Sequence, residues 1–172
     1  VELGRSAHRP QVSAELQRLI DEGTLCGAIL GPDVLGAASV DIGGELGPLA
    51  ASADGFAQAS EPGHSLLPKL VQAAVAAGHG TPPAVLELYA GSGNLTRALL
   101  GLGGTVLAVE GEPRAAARLR ELAQSPRAEQ RLTVRPVAVE RALPELLRDG
   151  PRCDTIVLDP PRGGARPIVP TI

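Results

Sequence analysis

The run Leu86-Glu87-Leu88-Tyr89-Ala90-Gly91-Ser92-Gly93-Asn94-Leu95-Thr96 constrains this chain more than any other stretch. Apolar residues from Ala84 to Leu88 read as a buried strand, and Leu95 to Leu102 as the helix that follows a glycine turn. A strand that stops in Gly-x-Gly and passes into a helix aims backbone N–H groups outward. Glycine lets a ligand approach that backbone closely. Dinucleotides and other adenosine cofactors are held this way alike, so the turn by itself leaves the ligand open.

Downstream spacing supplies an acid. Thr105 to Val109 is a second apolar strand, and Glu110 stands at its carboxyl end. A carboxylate there can accept hydrogen bonds from both ribose hydroxyls of a ligand lying over the glycine turn. The dinucleotide fingerprint wants a third glycine three residues after the second, and Thr96 occupies that position.

Composition narrows the class. The chain has 172 residues, enough for one ordinary domain or one domain plus part of another, and its 44% hydrophobic content is mostly Ala, Leu and Val. With one Phe and one Tyr, both Phe56 and Tyr89 stand out, because aliphatic residues already suffice for a core. The net charge of −3 gives no strong sign of nucleic-acid binding, although residues 84–172 carry twelve basic groups against four in residues 1–83. Cys26 and Cys153 lie far apart without CxxC spacing, which supports neither a metal site nor a disulfide framework. There is no apolar run of membrane-spanning length and no signal-peptide pattern, so a cytoplasmic protein is expected.

Residues 1–53 read as a strand-rich segment opened by a helix over Gln11 to Ile20. Its apolar runs Leu25–Leu30, Val34–Val40 and Leu46–Ala51 are expected to be short antiparallel strands joined by tight turns. From residue 54 a second domain is expected. Gly55-Phe56-Ala57-Gln58-Ala59-Ser60 would place Phe56 and Gln58 on one side of an extended strand, with Ser60 as a helix cap. The next helix runs to about Ala77 with Leu66, Leu67, Leu70, Val71, Ala74 and Val75 as its buried stripe. His64 and His79 have no companion at ligand spacing and are expected to face solvent.

Beyond Ala84 strands and helices alternate, which predicts an α/β fold with a parallel sheet. Strands are expected over 84–89, 105–110, 132–138 and 155–158, and helices over 95–102, 113–124 (with Ala117, Leu119 and Leu122 inward) and 140–147. Right-handed crossovers then set Gly91, Glu110 and Asp159 along one edge of that sheet. Asp159-Pro160-Pro161-Arg162 is the second strong signal. Two prolines after a buried strand end it, stiffen the loop and hold the Asp and Arg side chains at that edge.

Together these residues resemble the RNA uracil-C5 methyltransferases, the class I S-adenosyl-L-methionine (SAM) dependent family that forms 5-methyluridine in tRNA and 23S rRNA. Four blocks carry the resemblance in order from about Gly55 to Arg166: Phe56-x-Gln58-x-Ser60, Leu88-Tyr89-x-Gly91-x-Gly93-Asn94, Val109-Glu110, and Asp159-Pro160-Pro161-Arg162-x-Gly164. The family usually has Asn in place of Ser60 and Cys in place of Ala90. The resemblance implies a Rossmann-like methyltransferase sheet, an RNA substrate, SAM as cofactor and no metal. It further implies that Gln58, Tyr89, Gly91, Gly93, Asn94, Glu110 and Asp159 form the SAM and uracil pocket. Glu110 would hold the ribose, and Asp159 and Arg162 would stand beside the target base as supporting residues. The family's acidic or amide residue near the adenine falls at or beside Val139.

One departure is large. In that family a cysteine attacks C6 of the uracil and a later glutamate helps remove the C5 proton, both beyond the Asp-Pro-Pro-Arg loop. Neither Cys26 nor Cys153 matches that place. The resemblance therefore implies a C-terminally truncated methyltransferase, inactive alone and marginally stable, with an apolar edge strand. Three alternatives stay open: a cytosine-C5 RNA methyltransferase, a non-catalytic nucleotide- or RNA-binding module on the same sheet, and a dinucleotide oxidoreductase. The choice of RNA and the oligomeric state are not encoded in these motifs.

Overall fold

The computed structural model describes residues 9–37, 39–42, 49–52, 61–79 and 82–172. The chain divides into two compact units, Val1–Ala57 and Gln58–Ile172.

In the first unit, helix α1 spans Arg9–Asp21, one to two residues longer at each end than its apolar positions indicate. Strands β1 (Gly27–Leu30) and β2 (Asp33–Gly36) pair antiparallel, as do β3 (Ser39–Ile42) and β4 (Leu49–Ser52). The apolar run 34–40 is thus divided between two hairpins. The first hairpin turns through Gly31 at φ +64°, and Arg9 ties α1 to it by bonds to the Leu30 carbonyl (3.0 Å) and to Asp33 (2.7 Å).

The second unit begins, among the described residues, with α2 (Glu61–Ala77), followed by β5 (Ala84–Leu88), α3 (Asn94–Leu100), β6 (Thr105–Val109) and α4 (Pro113–Ala123). Then come β7 (Leu132–Arg135), α5 (Val139–Asp149), β8 (Thr155–Leu158) and a short 3-10 turn, Val169–Thr171. The four strands form one parallel sheet in the order β7-β6-β5-β8, with Leu88 opposite Val109 and Leu158. β7 is shorter than its apolar run because Pro136 has no N–H to give to the ladder.

Both faces of the sheet are covered, which is why its central strands read as continuous apolar runs. On one face Val85, Val106, Ala108 and Leu132 pack with Leu99, Leu100, Leu119 and Val75. On the other, Leu86, Leu88, Leu107 and Val109 pack with Val139, Leu143 and Leu146 of α5 and with Ile168. Truncating Leu119, which has no exposed surface, to Ala is expected to cost about 3 kcal/mol of unfolding free energy by urea denaturation. A cost below about 1 kcal/mol would show that α4 does not seal this face.

Two predicted faces need correction. On α2, Leu66 and Leu70 are 55% and 58% exposed and Ala74 is exposed, whereas Pro68 and Val75 are buried and Val71 and Gln72 half-buried. Apolar residues lie on several sides of the helix, so periodicity could not choose its inner side. The choice is made by α3, where the Gln72 amide donates to the Ala98 carbonyl at 2.8 Å. On α4 the inward alanine is Ala116, not Ala117, because Glu112 caps the helix by accepting from the N–H groups of Arg114 and Ala115 and so sets its phase. His79 is half-buried, with Nε2 2.5 Å from Thr155 Oγ1, while the His64 side chain falls outside the described residues.

Candidate functional site

Parallel strands joined by helices leave their carboxyl ends on one edge, and the residues following β5, β6 and β8 are the glycine turn, Glu110 and Asp159. The strongest contact there joins two of the predicted residues. Glu110 Oε2 accepts from the Gly91 N–H at 2.8 Å, and Oε1 accepts from the Glu112 N–H at 2.6 Å. One carboxylate therefore fixes the turn after β5 against the loop after β6. Its oxygens each retain acceptor capacity for a ligand's hydroxyl groups.

The two glycines of the turn serve different ends. Gly91 lies at φ +57°, and a side chain built on it would meet nothing within 4 Å, so the turn faces open space there. Gly93, at φ +92°, is pressed against α4: a Cβ would stand 3.0 Å from Leu119 Cδ2 and 3.2 Å from Leu122 Cδ2. Three of the turn's N–H groups are already used, Ala90 on Val109 O, Gly91 on Glu110 and Gly93 on Ala90 O. What the turn offers a ligand is the bare Cα face of Gly91 rather than a row of unpaired donors.

Tyr89 carries a left-handed backbone, φ +59°, which a bulky side chain adopts at a cost. Its hydroxyl donates to Glu140 Oε1 on the first turn of α5 at 2.8 Å. Desolvation and the Glu140 carboxylate raise the phenol to about 12, so it remains a donor. Asn94 opens α3 and is half-buried. The Asp159 N–H donates to the Leu88 carbonyl at 3.4 Å and its side chain is exposed, as is that of Arg162 in the turn closed by Gly164 N–H on Pro161 O. Gln58, with Phe56 and Ser60, lies outside the described residues. Cys153 precedes β8 and so stands at the other end of its strand from Asp159. Burial and Asp154 push its thiol up, which makes it a poor nucleophile.

The pairing of Glu87 with Thr96 was missed. Glu87 is 1% exposed in the middle of β5, and Thr96 is fully buried. The Thr96 hydroxyl donates to Glu87 Oε2 at 2.6 Å, which accounts for threonine where the dinucleotide fingerprint has glycine. The available signal was a carboxylate inside an otherwise apolar strand. Desolvation dominates its titration; with the Asp159 and Glu110 charges it outweighs the Thr96 bonds and pushes the group from 4.5 to about 8.

The folded state therefore holds a proton that the unfolded chain releases above about pH 4.5, and stability falls as pH rises from there to about 8. Glu87→Gln, neutral at every pH, is expected to flatten that slope and to gain on the native chain above pH 5 in urea titrations. An unchanged slope would mean that Glu87 is not protonated in the fold.

Among the described residues no group of three or more His, Cys, Asp or Glu is placed to hold a metal ion, and no helix is long and apolar enough to cross a membrane. No family model matches the chain, and no curated protein matches it. Solved structures do match. A SAM-dependent methyltransferase from Agrobacterium tumefaciens is 18% identical over 78% of this chain and 43% of its own, with a TM-score of 0.57. The tRNA (uracil-54, C5)-methyltransferase of Pyrococcus abyssi, solved with S-adenosyl-L-homocysteine, is 19% identical over 80% and 32%, with a TM-score of 0.55. TYW2 of Pyrococcus horikoshii, solved with MeSAdo, is 17% identical over 86% and 55%, with a TM-score of 0.54. This chain thus spans about half or less of the length of each. The fold is the Rossmann-like sheet of class I SAM-dependent methyltransferases.

Proposed function

We propose that the chain is the cofactor-binding part of a SAM-dependent RNA methyltransferase that modifies C5 of a uridine in tRNA or rRNA. One observation carries the cofactor assignment: Gly91 offers open space directly beside a carboxylate fixed at 2.8 Å from its N–H. An adenosine whose sugar lies over Gly91 would present both ribose hydroxyls to Glu110, with Tyr89, Gly93 and Asn94 around the rest of the pocket. Bound there, SAM would supply an electrophilic methyl group. Asp159 and Arg162, exposed at the neighbouring strand end, suit the side from which a base would enter. Gln58 is assigned to the pocket by resemblance alone.

The uridine assignment rests on the four ordered blocks and on the match to the Pyrococcus abyssi enzyme, whose own substrate is uracil-54 of tRNA. With it come an RNA partner and a cytoplasmic setting. The test has two stages. Calorimetric titration with SAM is expected to give micromolar affinity, and NADH no heat. Incubation of the chain with tritiated SAM and tRNA or rRNA transcripts, followed by nucleoside analysis, then separates three outcomes. Label in 5-methyluridine supports the full reading. Label in 5-methylcytidine moves the specificity to cytosine. SAM binding with no transfer leaves a cofactor-binding unit that does not catalyse alone. A folded sample that does not bind SAM overturns the proposal.

A further inference from the structure

Tyr89 lies between the last residue of β5 and the glycine turn, in a conformation that its own chemistry disfavours. Its backbone is left-handed, at φ +59°, which a bulky side chain keeps only where its surroundings hold it there. Its ring packs at the margin of the cluster that contains Leu86, Leu88, Leu107, Val109 and Val139, and its hydroxyl donates to Glu140 Oε1 at 2.8 Å. Glu140 belongs to the first turn of α5, whose phase is set by the burial of Val139, Ala142, Leu143 and Leu146. α5 follows β7, and β6 lies between β7 and β5 in the sheet. The bond thus joins the strand ends on either side of the one that carries Glu110. The segment from Tyr89 to Gly91 is held at three points: the Tyr89 hydroxyl on Glu140, the Ala90 N–H on Val109 O at 3.2 Å, and the Gly91 N–H on Glu110 at 2.8 Å.

Taking the methyltransferase reading as given, we infer that Glu140 is a positioning residue of the cofactor site: by holding the Tyr89 hydroxyl it keeps Tyr89 left-handed, so that the turn already stands open over Gly91 in the empty chain. The φ of Tyr89 sets the direction in which the backbone leaves β5. It therefore sets where the bare face of Gly91 lies relative to the Glu110 carboxylate. Without the bond to Glu140, Tyr89 is free to relax toward the β region that aromatic residues favour. The turn then samples shapes in which Gly91 and Glu110 do not face one ligand together, and binding has to reorder it. Glu140 exerts this effect without touching the ligand. A carboxylate is a strong acceptor for a phenol hydroxyl, and the first turn of a helix favours a negative charge. The phenol, raised to about 12, keeps its donor proton throughout the neutral range.

The chain contains one tyrosine and no tryptophan, so a tyrosine signal reports on Tyr89 alone. Isotope-labelled at Cζ, that tyrosine is expected to give one sharp NMR resonance in the empty chain. Glu140→Ala, checked for folding by circular dichroism, should shift and broaden the resonance, and adding SAM should sharpen it again. In calorimetric titration Glu140→Ala is expected to bind SAM about tenfold more weakly, the scale of one hydrogen bond to a charged group. Tyr89→Phe keeps the ring and removes the donor, and should lose about as much. The double variant should be no worse than either single one, since both remove the same bond. Glu140→Gln, whose amide oxygen still accepts from the phenol, should restore affinity to within about threefold and return the resonance to its native place. Unchanged affinity in Glu140→Ala, losses that add in the double variant, or a Glu140→Gln as weak as Glu140→Ala each overturn the inference. SAM binding by the unaltered chain then leaves the methyltransferase reading standing. A folded, unaltered chain that binds no SAM overturns that reading and the inference with it.

Discussion

Gly104→Ala is expected to remove most of the chain's stability. Gly104 precedes β6 and is buried, and the Thr105 N–H beside it donates to the Pro83 carbonyl at 3.1 Å. A Cβ on Gly104 would stand 1.8 Å from that carbonyl oxygen and 2.8 Å from the Pro83 carbonyl carbon and nitrogen. These are backbone atoms, so no side-chain rotation relieves the clash. Either β5 and β6 separate at the Ala84–Thr105 pair or the whole entry to β6 moves. The Arg131 guanidinium resists the second course, since it donates to the Gly104 and Leu100 carbonyls at 3.2 and 2.8 Å. A cost above about 3 kcal/mol is expected, a large fraction of what a domain of this size has. Urea denaturation followed by circular dichroism reads it directly. A variant that unfolds at the native midpoint would mean that the two strands do not approach this closely in solution.

The second large effect is on binding. Glu110→Ala is expected to weaken SAM binding about a hundredfold, or about 3 kcal/mol, from the loss of two charge-assisted hydrogen bonds to a ribose. Part of that loss would come through the turn, because Glu110 also receives the Gly91 and Glu112 N–H groups. Glu110→Gln is expected to fall between the native chain and Glu110→Ala, because it keeps one acceptor oxygen and sets an amide NH2 against the other backbone N–H. Undiminished binding in both variants would remove Glu110 from the site.

The parts of this molecule that were readable from residues alone are those where local chemistry and tertiary packing agree. β8 ends at Leu158 as expected, because Asp159-Pro160-Pro161 cannot continue a strand, and its buried neighbours demand the apolar run before it. The parallel arrangement of β5, β6, β7 and β8 follows from their alternation with helices, whereas their order in the sheet, β7-β6-β5-β8, comes from the structure alone. The inner face of α2 was not readable, since Leu66, Leu67, Leu70, Val71, Ala73, Ala74 and Val75 satisfy several helical stripes at once. Only contact with α3 selects among them. His79 was misjudged because its partner, Thr155, is remote in sequence and meets it only through the sheet. Glu87 illustrates the reverse case. It was visible as a polar interruption in β5, but a carboxylate there gains meaning only when Thr96 comes back over it from α3.

The unequal positions of the four strands have a consequence for how the molecule breathes. Among the described residues β5 and β6 each have a neighbour on both sides, while β7 and β8 each pair on one, and Leu158 is 39% exposed. Amide protons of Val85–Leu88 and Val106–Val109 should therefore exchange with solvent most slowly, and those of β8 should exchange through smaller, local openings. When β8 lifts away, Asp159 departs with it, while Gly91 and Glu110 stay joined across the two innermost strands. The edge that carries Gly91, Glu110 and Asp159 is thus expected to have one slowly exchanging half and one that opens first.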